Sequence, residues 1–299
     1  MRNLVIEHLA TAAKLDERIV LLTADLGFGV IETFRDQHPD RFFNVGVSEQ
    51  SMISAATGLA HMGMIPYCYS IATFASLRAL EFLRNGPVAH SLPVRVIGVG
   101  PGFDYANDGL THYAIDDLAP LRTMPRVMIW APTNEAHLAT DWHRIHSHQG
   151  LVYLRTPRAV SNPEVGRLFS ERTDVCVVSF GDAHIEASEV SGQLRAAGTP
   201  TDVFNCRWLE NDPDSELAQV LNHYKVIVSV ENHYVRGGFG SALLEWSTHL
   251  ARPPRVVLHG VSKLPVGALG DRSYLSHAFM TPTLETVSRV RQIVGARTA

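Results

Sequence analysis

The sequence has little of what marks several protein classes. It contains three cysteines in 299 residues, Cys68, Cys176 and Cys206, and their odd number and wide spacing argue against a disulfide framework or a zinc ribbon. Cys68 and Cys176 lie in apolar, strand-like runs, which is typical of buried thiols in a reducing compartment. We therefore expect a cytoplasmic protein.

Long apolar runs and concentrated charge are missing too. No stretch approaches the ~20 apolar residues that cross a bilayer, and the first residues do not resemble a signal peptide. The 26 Lys and Arg residues are scattered, against 30 Asp and Glu, which gives a net charge of −4. These properties predict neither a membrane nor a nucleic-acid partner.

The chain is instead rich in short apolar blocks. Hydrophobic residues make up 45% of it, enough for two domains with separate cores. Continuous apolar runs such as 19–24, 94–99 and 226–230 alternate with helical patterns such as 48–61 and 184–197. This alternation predicts an α/β fold of two consecutive, open, mostly parallel-sheet domains.

The predicted boundary between the domains rests on a change in composition. Around Pro163 and Gly166 the periodicity disappears and charges accumulate, as is typical of a linker. We predict a first domain at 1–160, a linker at 161–173 and a second domain at 174–299.

Glu49 lies where a predicted strand meets a predicted helix. The segment from Asn44 to Gln50 reads NVGVSEQ, with the strand ending at Val45 and Ser48 well suited to the N-cap. Parallel α/β folds place ligand-binding groups at such junctions. The ordinary alternative is that Glu49 only complements the positive end of the helix, where acidic residues are common.

A second candidate is the polar loop NDGLTH, which ends at His112. It follows a predicted strand and combines the carboxylate of Asp108 with the imidazole of His112. Histidine titrates near neutral pH and suits proton transfer with a small polar substrate. An ordinary turn before a capped helix would explain the same residues.

Arg155 and Arg158 lie at and just after the end of another predicted strand. Arginine binds phosphate or carboxylate groups through paired N–H donors. These two residues are therefore candidates for an anionic substrate group, with a salt bridge at the domain junction as the alternative.

Taken in order, these motifs resemble the transketolase superfamily of thiamine-diphosphate enzymes. The segment Arg41–Gln50 is similar to the family's pyrimidine-domain signature, and Ser70–Phe74 and Asp108–His112 follow in the family's order. Glu231–His233 and Gly237–Gly240 continue the resemblance into the second domain. It covers nearly the whole chain and implies a pyrimidine-binding domain followed by a transketolase C-terminal domain.

The resemblance implies roles at the cofactor for three residues. Glu49 matches the glutamate that bonds the ring nitrogen of the aminopyrimidine and stabilises its imino form. Phe74 matches the aromatic residue that stacks on the pyrimidine ring. Asp25 matches an acidic residue near the cofactor at the interface between subunits.

It also implies roles at the substrate. His112 matches a histidine near the reacting carbon, Asp108 an aspartate that reads a substrate hydroxyl, and Arg155, with Arg158 nearby, an arginine that binds the substrate phosphate. Gly29 stands where many transketolases carry a phosphate-binding serine. We therefore hypothesise that the substrate is not a standard pentose phosphate, or that its phosphate is recognised differently.

The resemblance also predicts a partner subunit, because one domain of the family has no counterpart in this sequence. The family holds the cofactor diphosphate through Mg²⁺ on a separate domain with a Gly-Asp-Gly motif, which has no counterpart at a suitable place here. We expect a separate diphosphate-binding N-terminal subunit that holds Mg²⁺, in a two-plus-two heterotetramer. The chain itself is expected to ligate no metal.

The resemblance implies transfer of a two-carbon ketol unit from a ketose or ketose phosphate to an aldose. Two alternatives within the superfamily remain, the β subunit of a 2-oxo-acid dehydrogenase and a deoxyxylulose-phosphate-synthase-like enzyme. The motif at Asp108–His112 favours a sugar substrate over an oxo acid. A non-catalytic scaffold subunit is the alternative outside enzymes.

Overall fold

Parallel strands form the framework of the computed structural model, which describes residues 1–162, 168–170 and 173–295. The strands are β1 (Ile19–Thr23), β2 (Phe42–Asn44), β3 (Ile65–Ile71), β4 (Arg95–Val99), β5 (Met128–Trp130), β6 (Val152–Thr156), β7 (Val175–Phe180), β8 (Asp202–Cys206), β9 (Trp208–Leu209), β10 (Val226–Tyr234) and β11 (Arg255–Val261).

Helices alternate with these strands. They are α1 (Arg2–Ala12), α2 (Glu32–Gln37), α3 (Glu49–His61), α4 (Leu80–Leu83), α5 (Leu118–Arg122), α6 (Glu135–Ser147), α7 (His184–Ala196), α8 (Ser215–His223), α9 (Phe239–Ser247), α10 (Arg272–Phe279) and α11 (Thr283–Gly295). Two π-helical turns, Phe74–Arg78 and Arg84–Val88, flank α4. Within the described residues, every helix falls short of the length and apolar character that a bilayer-spanning helix needs.

The strands form two sheets. The first has the order β2-β1-β3-β4-β6-β5-β9 and the second the order β11-β10-β7-β8. All neighbouring pairs are parallel except β5 and β9. Every residue of β1, β3, β4, β6 and β7 is buried, as expected for strands covered by helices on both faces. The predicted fold class is confirmed.

The short strand β9 joins the two halves of the molecule. It follows β8 of the second sheet along the chain but pairs antiparallel with β5, where Trp208 lies opposite Trp130. Asp141 accepts hydrogen bonds from the Trp130 indole at 2.8 Å and from Arg207 at 2.6 Å. The first sheet is thus completed by residues from the second half. The predicted linker, 161–173, lies partly outside the described residues.

Two histidines, His233 and His259, are buried inside the second half of the molecule. Burial lowers the pKa of His233 and of His259 to about 4, because a charged imidazole loses its hydration inside the protein. His259 shares a 2.9 Å hydrogen bond with the hydroxyl of Thr286. His233 accepts a 3.4 Å hydrogen bond from the backbone N–H of Ala119. Both imidazoles are therefore neutral in the folded chain until the pH approaches 4.

We expect the contribution of His259 to the free energy of unfolding to fall as the pH drops from 6.5 towards 4, the two values between which its pKa is shifted. In that window the unfolded chain binds protons at these histidines and the folded chain does not. His259→Gln should reduce this acid-induced loss by up to about 3 kcal/mol. Urea denaturation near pH 7 and near pH 4.5 measures it, with the exposed His61→Gln as control; equal acid sensitivity of His259→Gln and wild type would contradict the expectation.

Candidate functional site

The carboxyl edge of the first sheet gathers most of the predicted site residues. Asp25 follows β1, Asn44 ends β2, and Glu49 begins α3 directly after β2. Ser70 lies near the end of β3, and Phe74 begins the π-helical turn that follows. Because parallel strands all end at the same edge, residues far apart in the sequence meet there.

Glu49 is the buried centre of this group. Its side chain is 0% exposed. One carboxylate oxygen, Oε1, accepts a 3.0 Å hydrogen bond from the hydroxyl of Ser70, and Oε2 accepts a 2.7 Å bond from the guanidinium of Arg78. Both oxygens thus have a donor, as a buried carboxylate requires. A glutamate that only complements the positive end of an exposed helix would be open to solvent, whereas Glu49 is buried and paired.

Phe74 and His112 lie side by side. Their ring centroids are 5.0 Å apart, with the planes inclined at 67°. The guanidinium carbon of Arg78 lies 4.1 Å from the centroid of the Phe74 ring, the distance of a cation–π contact. Arg78 therefore connects Glu49 to Phe74, and Phe74 contacts His112.

The loop that carries Asp108 and His112 consists of two short 3₁₀ turns, Ala106–Asp108 and Leu110–His112. Gly109 connects them with a φ of +82°, a conformation that glycine adopts without strain. Asp108 is exposed and His112 is partly buried. The loop thus places His112 next to Phe74, with Asp108 four residues earlier on the same loop.

Asp25 is fixed by a residue that the sequence interpretation did not assign. Asn44 donates a 3.0 Å hydrogen bond to Oδ1 of Asp25 and accepts one from the Asp25 backbone N–H. The same Asn44 oxygen also accepts from the backbone of Gly46. Asp25 itself has a φ of +57°, which is unusual for a residue with a side chain. Asn44 therefore ties the loop of Asp25 to the segment that leads to Glu49.

Arg155 lies in a different environment, at the junction of the two halves. Its side chain is 1% exposed. The guanidinium donates to Asp117 at 2.8 Å and 3.2 Å, to the Ala114 carbonyl at 2.9 Å and to the Asn232 carbonyl at 3.0 Å. The ion pair with Asp117 stays within the first half, whereas the Asn232 carbonyl and the Asp182 carboxylate, 3.8 Å from Nη1, belong to the second half. These two contacts fit the domain-junction salt bridge that the sequence left open as an alternative.

Arg158 is exposed and packs on Tyr105. Its guanidinium carbon lies 4.8 Å from the Tyr105 ring, and it donates to the Asp104 carbonyl at 3.3 Å. No described contact joins Arg155 or Arg158 to Glu49, Phe74 or His112. The Tyr105 ring in turn lies 6.1 Å from the His112 ring, so Arg158 borders the predicted site through Tyr105, whereas Arg155 lies apart from it.

The residue that sequence interpretation missed altogether is Arg78. A signal was present, because Arg78 follows Phe74 by four residues and that spacing places two side chains on one helical face. In contrast, the described residues contain no group of three or more His, Cys, Asp or Glu side chains that could hold a metal ion. The site therefore offers a buried carboxylate and an aromatic face.

Comparison with known proteins covers both halves. The family described as "Transketolase, pyrimidine binding domain" matches residues 1–163, and "Transketolase, C-terminal domain" matches residues 165–269. A Methanocaldococcus jannaschii protein, provisionally named a transketolase C-terminal section, is 31% identical over 253 residues, which cover 80% of this chain and 79% of that protein. The 1-deoxy-D-xylulose-5-phosphate synthase of Halothermothrix orenii is 31% identical over 268 residues, which cover 82% of this chain and 42% of the synthase.

A solved structure agrees along almost the full length. It is described as "Split gene transketolase, inactive beta4 tetramer" and is 27% identical to this chain. The TM-score is 0.78, and the match covers 97% of both chains. The similarity therefore includes both sheets and the way the halves follow one another.

Proposed function

Because this chain belongs to the transketolase family, we propose that it is the pyrimidine-binding and C-terminal half of a split, thiamine-diphosphate-dependent transketolase. The observation that carries the proposal is the buried Glu49 carboxylate, which Arg78 connects to the Phe74 ring and so to His112. The proposed reaction moves a two-carbon ketol unit from a ketose or ketose phosphate to an aldose. The similarity to a split-gene transketolase over 97% of the chain supports the proposal that the enzyme consists of two separate subunits.

Bound thiamine diphosphate supplies a carbon nucleophile that adds to the ketose carbonyl. In our proposal this chain contributes the groups around its aminopyrimidine. Glu49 holds a proton between its carboxylate and a ring nitrogen, and Ser70 fixes the carboxylate through Oε1. Phe74 supplies an apolar face for the ring, and Asp25, held by Asn44, lines the edge of the site. The aromatic face of Phe74 matches the flat shape of an aminopyrimidine, and the buried carboxylate of Glu49 can share a proton with its ring nitrogen.

His112 and Asp108 are proposed to act on the sugar. His112 lies next to Phe74, so its imidazole can exchange a proton with a hydroxyl near the reacting carbon. Asp108, exposed on the same loop, can accept a hydrogen bond from a further hydroxyl. Arg155 is proposed to hold the two halves together instead of binding a phosphate, because its Nε and Nη2 donate to Asp117 and two carbonyls and its Nη1 faces Asp182 at 3.8 Å. Arg158 remains a candidate for an anionic group.

The diphosphate and its Mg²⁺ are proposed to reside on a separate N-terminal subunit, in a two-plus-two assembly. Large apolar side chains are exposed around the loops of Asp25 and Glu49: Phe28 is 73% exposed and Val47 is 74% exposed. Such side chains at a site rim are typical of a surface that a partner covers. The split-gene relative, whose β4 tetramer is described as inactive, supports dependence on a partner.

We expect the purified chain to be inactive alone and to bind thiamine diphosphate weakly, with a Kd at least about 10²-fold higher than in the presence of its partner. Isothermal titration measures the binding, and a coupled ketol-transfer assay measures turnover. The proper control is the same titration after addition of a transketolase N-terminal subunit from the same organism. Tight cofactor binding and ketose turnover by the chain alone would contradict the proposal.

A deoxyxylulose-phosphate-synthase-like activity is the second candidate. It is favoured by the 31% identity to a synthase of that kind. That reaction consumes an oxo acid and releases CO₂, whereas ketol transfer releases an aldose. Incubating the reconstituted complex with pyruvate or with a ketose, and measuring CO₂ and aldose release, separates the two.

A further inference from the structure

Arg78 makes the two contacts that the proposed function gives to the cofactor's aminopyrimidine. Its guanidinium lies over the Phe74 ring at 4.1 Å and donates to Oε2 of Glu49 at 2.7 Å. A guanidinium and an aminopyrimidine whose ring nitrogen is protonated are alike in being flat and in pointing an N–H donor at a carboxylate. We call the space that the guanidinium fills between Glu49 and Phe74 the recess. By shape and hydrogen bonding, this recess can accept either group.

We propose that Arg78 occupies the aminopyrimidine position in the free subunit and leaves it when the cofactor binds. This inference rests on the proposed function, because it takes the recess between Glu49 and Phe74 to be the pyrimidine site. Arg78 then acts as an internal competitor of the cofactor.

The burial of Glu49 explains why the free subunit needs such an occupant. A carboxylate without access to water is costly unless hydrogen-bond donors surround it. Ser70 supplies one donor, to Oε1, and Arg78 supplies the donor to Oε2. Without cofactor, Arg78 thus keeps the carboxylate paired and in place.

Arg78 is also able to leave. Its side chain is 41% exposed, so the guanidinium reaches water by rotation of its own flexible stem. The backbone stays anchored, because the Arg78 carbonyl accepts a 3.3 Å hydrogen bond from the Gln50 side chain. An exposed cation–π contact is weak. In place of the guanidinium, an incoming aminopyrimidine would offer Oε2 the proton that its ring nitrogen shares with Glu49.

Competition follows from geometry. One face of the Phe74 ring cannot be stacked by the guanidinium and by a pyrimidine at the same time. The apparent Kd of a ligand rises in inverse proportion to the fraction of molecules whose site is open. Removal of the guanidinium should therefore tighten binding of the pyrimidine half of the cofactor.

The test uses the full chain and thiamine, which carries the pyrimidine but no diphosphate. Arg78→Met keeps the length of the stem and removes the planar cation. We expect Arg78→Met to bind thiamine about tenfold more tightly than wild type, which corresponds to about 1.4 kcal/mol. Saturation-transfer NMR measures the apparent Kd, and Arg84→Met, an exposed arginine in the next π-helical turn, is the matched control.

Two further measurements separate competition from a structural role. Methylguanidinium added in solution should weaken thiamine binding to Arg78→Met and leave wild type nearly unchanged, because it refills the vacated recess. Arg78→Lys, which keeps the charge but loses the planar shape, should bind with intermediate affinity. Thiamine binding to Arg78→Met that is equal to or weaker than that of wild type would overturn the inference.

The proposed function fails in a different way. If thiamine binds equally well to wild type and to Glu49→Gln, or to none of the variants even with the partner subunit present, the recess is not a pyrimidine site. In contrast, loss of binding on Glu49→Gln together with no gain on Arg78→Met would uphold the proposed function and overturn only the competition by Arg78.

Discussion

Glu49→Gln is expected to lower the turnover of the reconstituted two-subunit enzyme by about 10²- to 10⁴-fold, the usual contribution of a positioned proton-transfer group. The amide keeps the volume of the side chain and its hydrogen bond with Ser70, but it cannot hold a proton against the pyrimidine ring. The measurement is single-turnover and steady-state ketol transfer, with assembly of the complex checked by light scattering.

Glu135→Gln provides a matched control for this variant. Glu135 begins α6 as Glu49 begins α3, but Glu135 is exposed at its helix end. Its substitution should leave turnover within about twofold of wild type, since surface substitutions of this kind have small effects. An unaffected rate for Glu49→Gln would instead favour the scaffold subunit, which keeps the fold without the chemistry.

Arg155→Met is expected to destabilise the chain by about 3–5 kcal/mol, the range observed when one partner of a buried ion pair is removed. The substitution would remove the guanidinium from the Asp117 carboxylate, which is 0% exposed, and leave it the hydroxyl of Tyr153 at 2.9 Å among its contacts in the described residues. It would also remove the donors to the carbonyls of Ala114 and Asn232, which belong to the two halves of the molecule. Urea denaturation followed by circular dichroism measures the change.

Arg158→Met is the control for the junction. Arg158 is exposed, so we expect its substitution to change the free energy of unfolding by less than about 1 kcal/mol.

The dependence of activity on the substrate gives a second criterion for the role of Arg155. A junction role predicts that Arg155→Met loses activity equally on phosphorylated and unphosphorylated ketoses, in proportion to the folded fraction. Full stability combined with selective loss of phosphorylated substrates would show that Arg155 reads a phosphate after all.

The sequence was sufficient where local pattern and tertiary environment agree. Strands such as β1 and β7 are continuous apolar runs, and a run of that kind has few alternatives to a buried parallel strand. Glu49 could be singled out because the strand end, the preceding Ser48 and the helix that begins at Glu49 are neighbours in the sequence. All of these features lie within the seven residues from Asn44 to Gln50, so they can be recognised without a structure.

The sequence was insufficient where a contact joins distant segments. Arg155 at a strand end suits a phosphate as well as a carboxylate, and its partners lie 38 and 77 residues away, at Asp117 and Asn232. The strand β9 is two residues long, too short for any periodicity, and it exists because β5 lies beside it. The domain limits at 1–160 and 174–299 stay a prediction.

The crossing of β9 into the first sheet has a consequence for how the chain can be divided. Without residues 208–209, β5 would be a bare sheet edge, and an exposed edge invites pairing with other chains and aggregation. We therefore expect the two domains to depend on each other, because a cut between them would let β9 separate from the strand whose edge it covers.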